Sequence, residues 1–471
     1  MEGSGRQGAG HQLFAAALGR WHGIVARPAD TPAELTANME ALYRAIYDTD
    51  FGRLDVAEIK AISRTATENL FDLYLTLRDR VPEWRALGLM QGGAPLALRN
   101  AMRVLRYTID IIGEVANEFQ RLDDDERTHK AFEGPEHWTL MHPALRDGQR
   151  VDLRAGDVVM VRGQLHNSAA IARIGDVDSQ FSHVGIVHID PDGQRWMVEA
   201  LIEEGSVWSP LDNALNHGLG RAVLFRHRDA ELAKRAAALV AAHVEKTRGG
   251  LFGWMPYDFS MELEGDDRFF CSKLVRHGYS AASDGRLALP SFPTRLAMTN
   301  RDFFDRLGVT AVETFAPADF EVEPAFDIVA EWRDYRVTSS LRMQDLLMSK
   351  LFDWMDAHGY QFREKFGIGV MALIGRLTSW GPEIMKNGLS AAGFPKIPAN
   401  MSARTIATIG MLHDTAQEIL ERLVELDKQR IATSGRPLHP REVQQELERF
   451  RAASGGRIGY LVVPPSDAAV G

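Results

Sequence analysis

The chain has 471 residues, 45% of them apolar and 25% charged, which is the mixture of a folded globular protein. That length exceeds one ordinary core of roughly 100–200 residues, so two or three packed units are expected. A net charge of −10, a pI near 5.9 and the lack of a long Lys/Arg run exclude an electrostatic footprint for nucleic acid.

The opening stretch, MEGSGRQGAGHQLFAAALGRW, lacks the charged start, sustained apolar run and small-residue cleavage site of a secretory signal. Residues 1–30 are expected as a flexible lead-in, and a cytoplasmic location fits. No window approaches the ~20 apolar residues needed to cross a bilayer. The nearest, GIGVMALI at 367–374, is far shorter. With one cysteine no intramolecular disulfide can form. No Cys-x-x-Cys or His-Glu-x-x-His pattern offers a metal site, so neither metal nor cofactor is expected.

Thr31-Pro32-Ala33-Glu34 has capping-box spacing with proline at the first helical position. Leu35, Met39, Leu42 and Ile46 then share a face, which predicts a helix. Leu54–Leu77 and Leu96–Leu122 repeat this periodicity on either side of the breaks at Pro82 and Gly92-Gly93-Ala94-Pro95. A helical bundle is therefore expected over 31–135, with no catalytic cluster of its own. At Asp152 the texture changes to short β-rich runs: Asp157–Arg162, Ser182–Ile189, Arg195–Leu201 and Ala222–Arg226. An Ala-rich helix over 230–248, a turn-rich stretch Gly249–Asp267 and a helix from Cys271 through Ser280 complete an α+β unit placed at 150–338. The pattern is helical again over 339–455, and 456–471 reads as a tail. In that last unit Ile406, Ile409, Leu412, Ile419, Leu423 and Leu426 form a stripe, for which core packing is the commonest reason.

A lone cysteine is as often a small buried hydrophobe as a nucleophile. Here Phe269-Phe270-Cys271-Ser272-Lys273-Leu274-Val275 sets the thiol after a turn-rich acidic loop and at the start of an apolar helical run. First-turn N–H groups and the helix dipole favour a thiolate there. Such a nucleophile needs a base, and the base needs a group that fixes its ring. His183 opens the run SHVGIV, and a hairpin centred near Pro191–Asp192 brings Glu199 opposite it to within one residue of register. Singly, His183 reads as a strand-end histidine and Glu199 as a solvent-facing charge. With Cys271 they make a nucleophile, a base and an orienting acid. His188 lies an odd number of residues from His183, faces the other side of the strand and is not expected to partner Cys271. Glu262, Glu264, Asp266 and Asp267 read as a solvated loop.

These residues resemble the permuted NlpC-like papain-fold hydrolases of the YiiX/YebB type. The matching motifs are Ala155-Gly156-Asp157-Val158-Val159, Ser182-His183-Val184-Gly185-Ile186-Val187, Val198-Glu199-Ala200, Pro256-Tyr257-Asp258-Phe259 and Cys271-Ser272-Lys273-Leu274-Val275. Ordinary papain-like enzymes present cysteine before histidine, and the reverse order here is what a permuted core implies. The resemblance spans 152–336. It implies an α+β fold, a circularly permuted papain-like core with an antiparallel sheet, flanked by N- and C-terminal all-helical regions.

It further implies a cysteine hydrolase that cleaves an amide or ester bond through a covalent acyl-enzyme on Cys271, with His183 as base and Glu199 holding its ring. The expected partner is a small-molecule, peptide or lipid substrate. Interception of the acyl group by an amine or alcohol would make an acyltransferase. A relic core would leave a binding scaffold, against which the intact Cys, His and Glu set weighs. Tyr257 resembles a tyrosine whose hydroxyl helps hold the oxyanion beside the Cys271 N–H; it reads equally as an amphipathic residue sealing the core edge. Ser182, beside the base, and His166, just after the first strand, are further candidates to touch substrate. Lys273 stands where the family commonly has an acidic residue, and its charge is expected to disfavour an amine and tolerate a carboxylate or phosphate. Every candidate lies between Asp152 and Lys273, so a 140–338 fragment is expected to keep the reactive thiol.

Overall fold

The computed structural model describes residues 7–49, 56–122, 126–146, 150–176, 179–248, 255–296, 298, 301–363 and 401–464. The apolar window at 367–374 and residues 249–254 of the turn-rich stretch lie outside them. Five helices come first: α1 (Gln7–Val25), α2 (Pro32–Tyr47), α3 (Val56–Asp79), α4 (Val81–Ala86) and α5 (Ala94–Ala116). The start of α2 follows its sequence. Thr31 Oγ1 accepts from the Glu34 N–H and the Glu34 carboxylate accepts from the Thr31 N–H, both at 3.2 Å, while Leu35, Met39, Leu42 and Ile46 are buried. α1 corrects the flexible lead-in. Phe14, Ala17, Trp21, Ile24 and Val25 recur every three or four residues and are buried, a stripe that docks on α2 and α3. The glycine-rich residues before it mask that stripe in the sequence.

The middle of the chain contains β1 (Thr139–Met141), β2 (Val158–Gly163), α6 (His166–Arg173), β3 (His183–Ile189), β4 (Arg195–Leu201), β5 (Gly205–Pro210), α7 (Leu211–Leu215) and β6 (Leu219–His227). Next come α8 (Ala230–Glu245), α9 (Cys271–Ala282), β7 (Thr294–Arg295), α10 (Asp302–Leu307), β8 (Glu313–Thr314) and β9 (Phe326–Arg333). Seven strands form an antiparallel sheet in the order β1-β9-β6-β2-β3-β4-β5. The four predicted strands and both predicted helices of this unit are present. β9 escapes the sequence reading because its charged Glu331 and Arg333 sit buried in ion pairs. α8 and α9 pack on each other and on β3. Gly156 is at φ +89°, and a Cβ there would lie 2.3 Å from the Ala233 backbone, so the glycine lets α8 close on the strand entry.

The chain ends in α11 (Thr338–His358), β10 (Gln361–Phe362), α12 (Ala403–Ser434), α13 (Pro440–Ala453), β11 (Arg457–Ile458) and β12 (Leu461–Val462). On α12 the residues Leu412, Ile419 and Leu423 are buried, with Ile406, Ile409 and Leu426 half-buried at the margin. β12 pairs with both β10 and β11, so part of the expected tail is built into a small sheet.

One apolar cluster runs from Trp21, Leu42 and Leu70 in the helical bundle to Val158, Ile186 and Val275 around the large sheet. Buried ion pairs cross the same boundary. From α5, Arg106 reaches Glu321 and Glu331, each at 2.7 Å, Arg99 reaches Asp319 at 2.8 Å, and Glu114 reaches Arg342 of α11 at 2.8 Å. A shared core and cross-boundary charges argue against helical units that can be cut away.

Candidate active site

β3 and β4 are joined by a tight turn in which Asp190 Oδ1 accepts from the N–H groups of Asp192 and Gln194. The turn sets the register Ile186↔Val198, Val187↔Met197, His188↔Trp196 and Ile189↔Arg195. Continued one pair further, it puts Glu199 opposite Gly185, and a Cβ built on Gly185 would lie 3.3 Å from Glu199 Cβ and 2.5 Å from Met197 Sδ. Glu199 is therefore diagonal to His183, two residues off direct opposition where at most one was expected. The bare Gly185 leaves the gap across which the carboxylate reaches His183 Nε2 at 2.7 Å. Gly185→Val should fill that gap and misplace the ring, lowering turnover on the order of 10²-fold in a variant whose melting transition shows it folded. Unchanged turnover would show that the contact does not depend on the gap.

Cys271 is the first residue of α9, which has no side-chain cap. A parallel bridge between Tyr257 and Phe269, and the Asp258 N–H donated to Phe269 O at 3.0 Å, fix the chain as it enters that helix. The acidic residues of the intervening loop are exposed. The thiol is buried and hydrogen-bonded to the His183 side chain; the Val184 N–H also points to it, and Ser272 Oγ lies 3.8 Å away. With Nε2 engaged by Glu199, Nδ1 is the nitrogen left for the thiol.

Burial alone would raise the Cys271 pKa, but the hydrogen bond and charge of His183 more than reverse this and hold it below the usual thiol range. Burial likewise would lower the His183 pKa, yet its hydrogen bonds to Cys271 and Glu199 raise it above the usual imidazole range. Both directions favour a thiolate beside an imidazolium. The Val184 amide and the Ser272 hydroxyl were missed from the sequence. A backbone donor carries no residue signature, and Ser272 was quoted only as part of a motif.

The other predicted residues divide. Tyr257 lines the same cavity as Cys271 and rests on Phe259 with ring centroids 5.0 Å apart. Burial, and then the nearby thiolate, push its phenol well above the usual range, so it keeps its proton as a donor. Ser182 is buried, its Oγ accepting the Gly163 N–H at 3.3 Å, which ties β2 to the start of β3. Lys273 is buried and paired with Asp258 at 2.7 Å. Its charge is neutralised inside the protein, which removes the basis for the expected preference against amines. His166 sits against α12, with Nε2 3.0 Å from Gln417 Oε1 and its ring 5.1 Å from that of His413. It does not line the Cys271 cavity, so the idea that it touches substrate is corrected. His188 packs on Trp208, with ring centroids 5.1 Å apart.

The cavity at Cys271 is walled mainly by apolar side chains, among them Ile171, Ile174, Met261, Phe270 and Leu296. Among the described residues no group of three or more His, Cys, Asp or Glu is placed to hold a metal ion, and no helix is long and apolar enough to cross a membrane.

Residues 152–330 match the family model described as permuted papain-like amidase enzyme, YaeF/YiiX, C92 family. No curated protein matches the chain. Among solved structures, that of the metalloprotein yiiX from Escherichia coli O157:H7 aligns at 22% identity over 39% of this chain and 100% of that one, with a TM-score of 0.30. The matched family is one of papain-like amidases, which supports cysteine hydrolase activity at the level of the family. Between its helical N- and C-terminal regions, the chain carries over residues 152–330 a permuted papain-like domain of the YaeF/YiiX, C92 family.

Proposed function

We propose that this protein hydrolyses an amide or ester bond through an acyl-enzyme on Cys271. The observation that carries the reading is the continuous relay from Glu199 through His183 to a buried thiol at a helix start. The thiolate attacks the carbonyl carbon, and the oxyanion meets the Cys271 N–H of the first helical turn and the protonated Tyr257 hydroxyl. The imidazolium proton passes to the departing amine or alcohol. Water, deprotonated by His183, then releases the acid and restores the thiolate beside the imidazolium. The apolar wall of the cavity favours an apolar acyl group over a charged one.

Intact-mass analysis during turnover of activated esters and anilides tests this. An acyl adduct that maps to Cys271 and decays with product release is the expected result. Product formation that persists in Cys271→Ala would overturn the assignment.

A further inference from the structure

Two anchors flank the nucleophile, and both lead to Tyr257. One is the bridge from Tyr257 to Phe269, two residues before Cys271. The other is the ion pair from Asp258, the chain neighbour of Tyr257, to Lys273, two residues after Cys271 on the first turn of α9. Lys273 Nζ donates to Asp258 Oδ2 at 2.7 Å, and the two side chains are 3% and 9% exposed. Asp258 Oδ1 accepts from the N–H and the hydroxyl of Ser260, at 3.1 and 2.5 Å, which orients the carboxylate from within its own loop.

An ion pair on the surface would hold little, since water replaces either partner at small cost. This one is enclosed, so a slide of the loop at 256–261 along α9 would leave a buried charge uncompensated. The bridge alone does not resist such a slide, because it binds the loop to the extended residues before the helix and not to the helix itself. Oxyanion donors act only when each lies within about 2.7–3.1 Å of the place where the charge develops. The Cys271 N–H moves with α9 and the Tyr257 hydroxyl with the loop, so their spacing is set by whatever joins the loop to the helix.

We propose that Asp258 and Lys273 are positioning residues: their ion pair fixes the Tyr257 hydroxyl against the Cys271 N–H so that both meet one oxyanion, and it touches no substrate itself. This rests on the acyl-enzyme reading of Cys271. The pair acts on the transition state of acylation. It has no part in forming the thiolate, which His183, Ser272 and the Val184 N–H support.

The test uses the full chain and two reactions of the same thiol. One is acylation by the para-nitrophenyl esters of acetic and hexanoic acids, read as the pre-steady-state release of nitrophenolate; the other is alkylation by iodoacetamide. Acylation builds an oxyanion, whereas alkylation displaces iodide at a saturated carbon and builds none. Asp258→Leu with Lys273→Met removes both charges together, which spares the fold an uncompensated one. That variant should acylate on the order of 10²-fold more slowly, the cost of a misplaced catalytic group, while its alkylation rate at the same pH stays at the wild-type value. Tyr257→Phe should slow acylation by a similar factor in wild type and by almost none in the charge-free background, because a hydroxyl already out of place has little left to lose. If the melting transition shows that the double variant does not fold, Asp258→Asn, which keeps the shape of the side chain, is read in the same way. Acylation at the wild-type rate, a parallel fall in alkylation, or a full Tyr257→Phe effect in the charge-free background would overturn the inference and leave the hydrolase reading standing. Absence of any Cys271-dependent acylation in wild type would overturn both.

Discussion

Cys271→Ala and His183→Ala should each lower turnover by at least about a thousandfold, because one forms the bond to the acyl group and the other carries the proton in both half-reactions. Glu199→Gln should cost less. Its side chain is 7% exposed and 2.7 Å from Nε2, so glutamine can still hold the ring but without the charge that supports the imidazolium. The check is steady-state turnover of one substrate by wild type, these three variants and Glu199→Ala. A fully active Glu199→Ala would remove that residue from the site, and an active Cys271→Ala would remove the nucleophile.

Arg106→Met should destabilise the folded chain by about 3–5 kcal/mol, the usual cost of leaving a buried partner uncompensated. Arg106 pairs with both Glu321 and Glu331, and all three are buried between the bundle and the sheet. Burial alone would raise the Glu331 carboxyl, but Arg106 and Arg333 reverse this and hold it at about 2. A carboxylate depressed in this way contributes stability above its unfolded pKa of ~4.3 and loses it as pH falls toward about 2. Denaturant unfolding of wild type should therefore weaken over that window, and Arg106→Met should weaken less steeply. By the same reasoning the 140–338 fragment, which lacks Arg99, Arg106, Asp110 and the first residue of β1, should fail to unfold cooperatively. A fragment with a sharp transition and a reactive thiol, or an Arg106→Met within about 1 kcal/mol of wild type, would contradict this account of the interface.

Local features were legible in the sequence. The α2 start is written in Thr31 and Glu34, β3 and β4 in alternation on either side of an Asp-Pro-Asp-Gly turn, and the α9 start in the switch from turn residues to an apolar run. What failed depends on partners distant in the chain. Lys273 looked like a free charge until Asp258, fifteen residues earlier, closed on it. His166 looked like a cleft residue until Gln417 and His413 of α12 enclosed it. Arg99 carried no signal, since it lies on a helix whose periodicity announces only packing. The diagonal approach of Glu199 to His183 turned on the missing side chain of Gly185, a detail of register that a hairpin centre alone does not fix.

The central claim is that His183 and Cys271 form one ionised pair, and the rate of iodoacetamide alkylation against pH tests it most directly. In wild type the rate should climb at a pH below the ~8.5 of a free thiol, because the imidazole outweighs the burial that would otherwise raise it. In His183→Ala that support is gone and burial remains, so the curve should move to higher pH. A wild-type curve that climbs only near ~8.5, and does not move when His183 is replaced, would contradict the account.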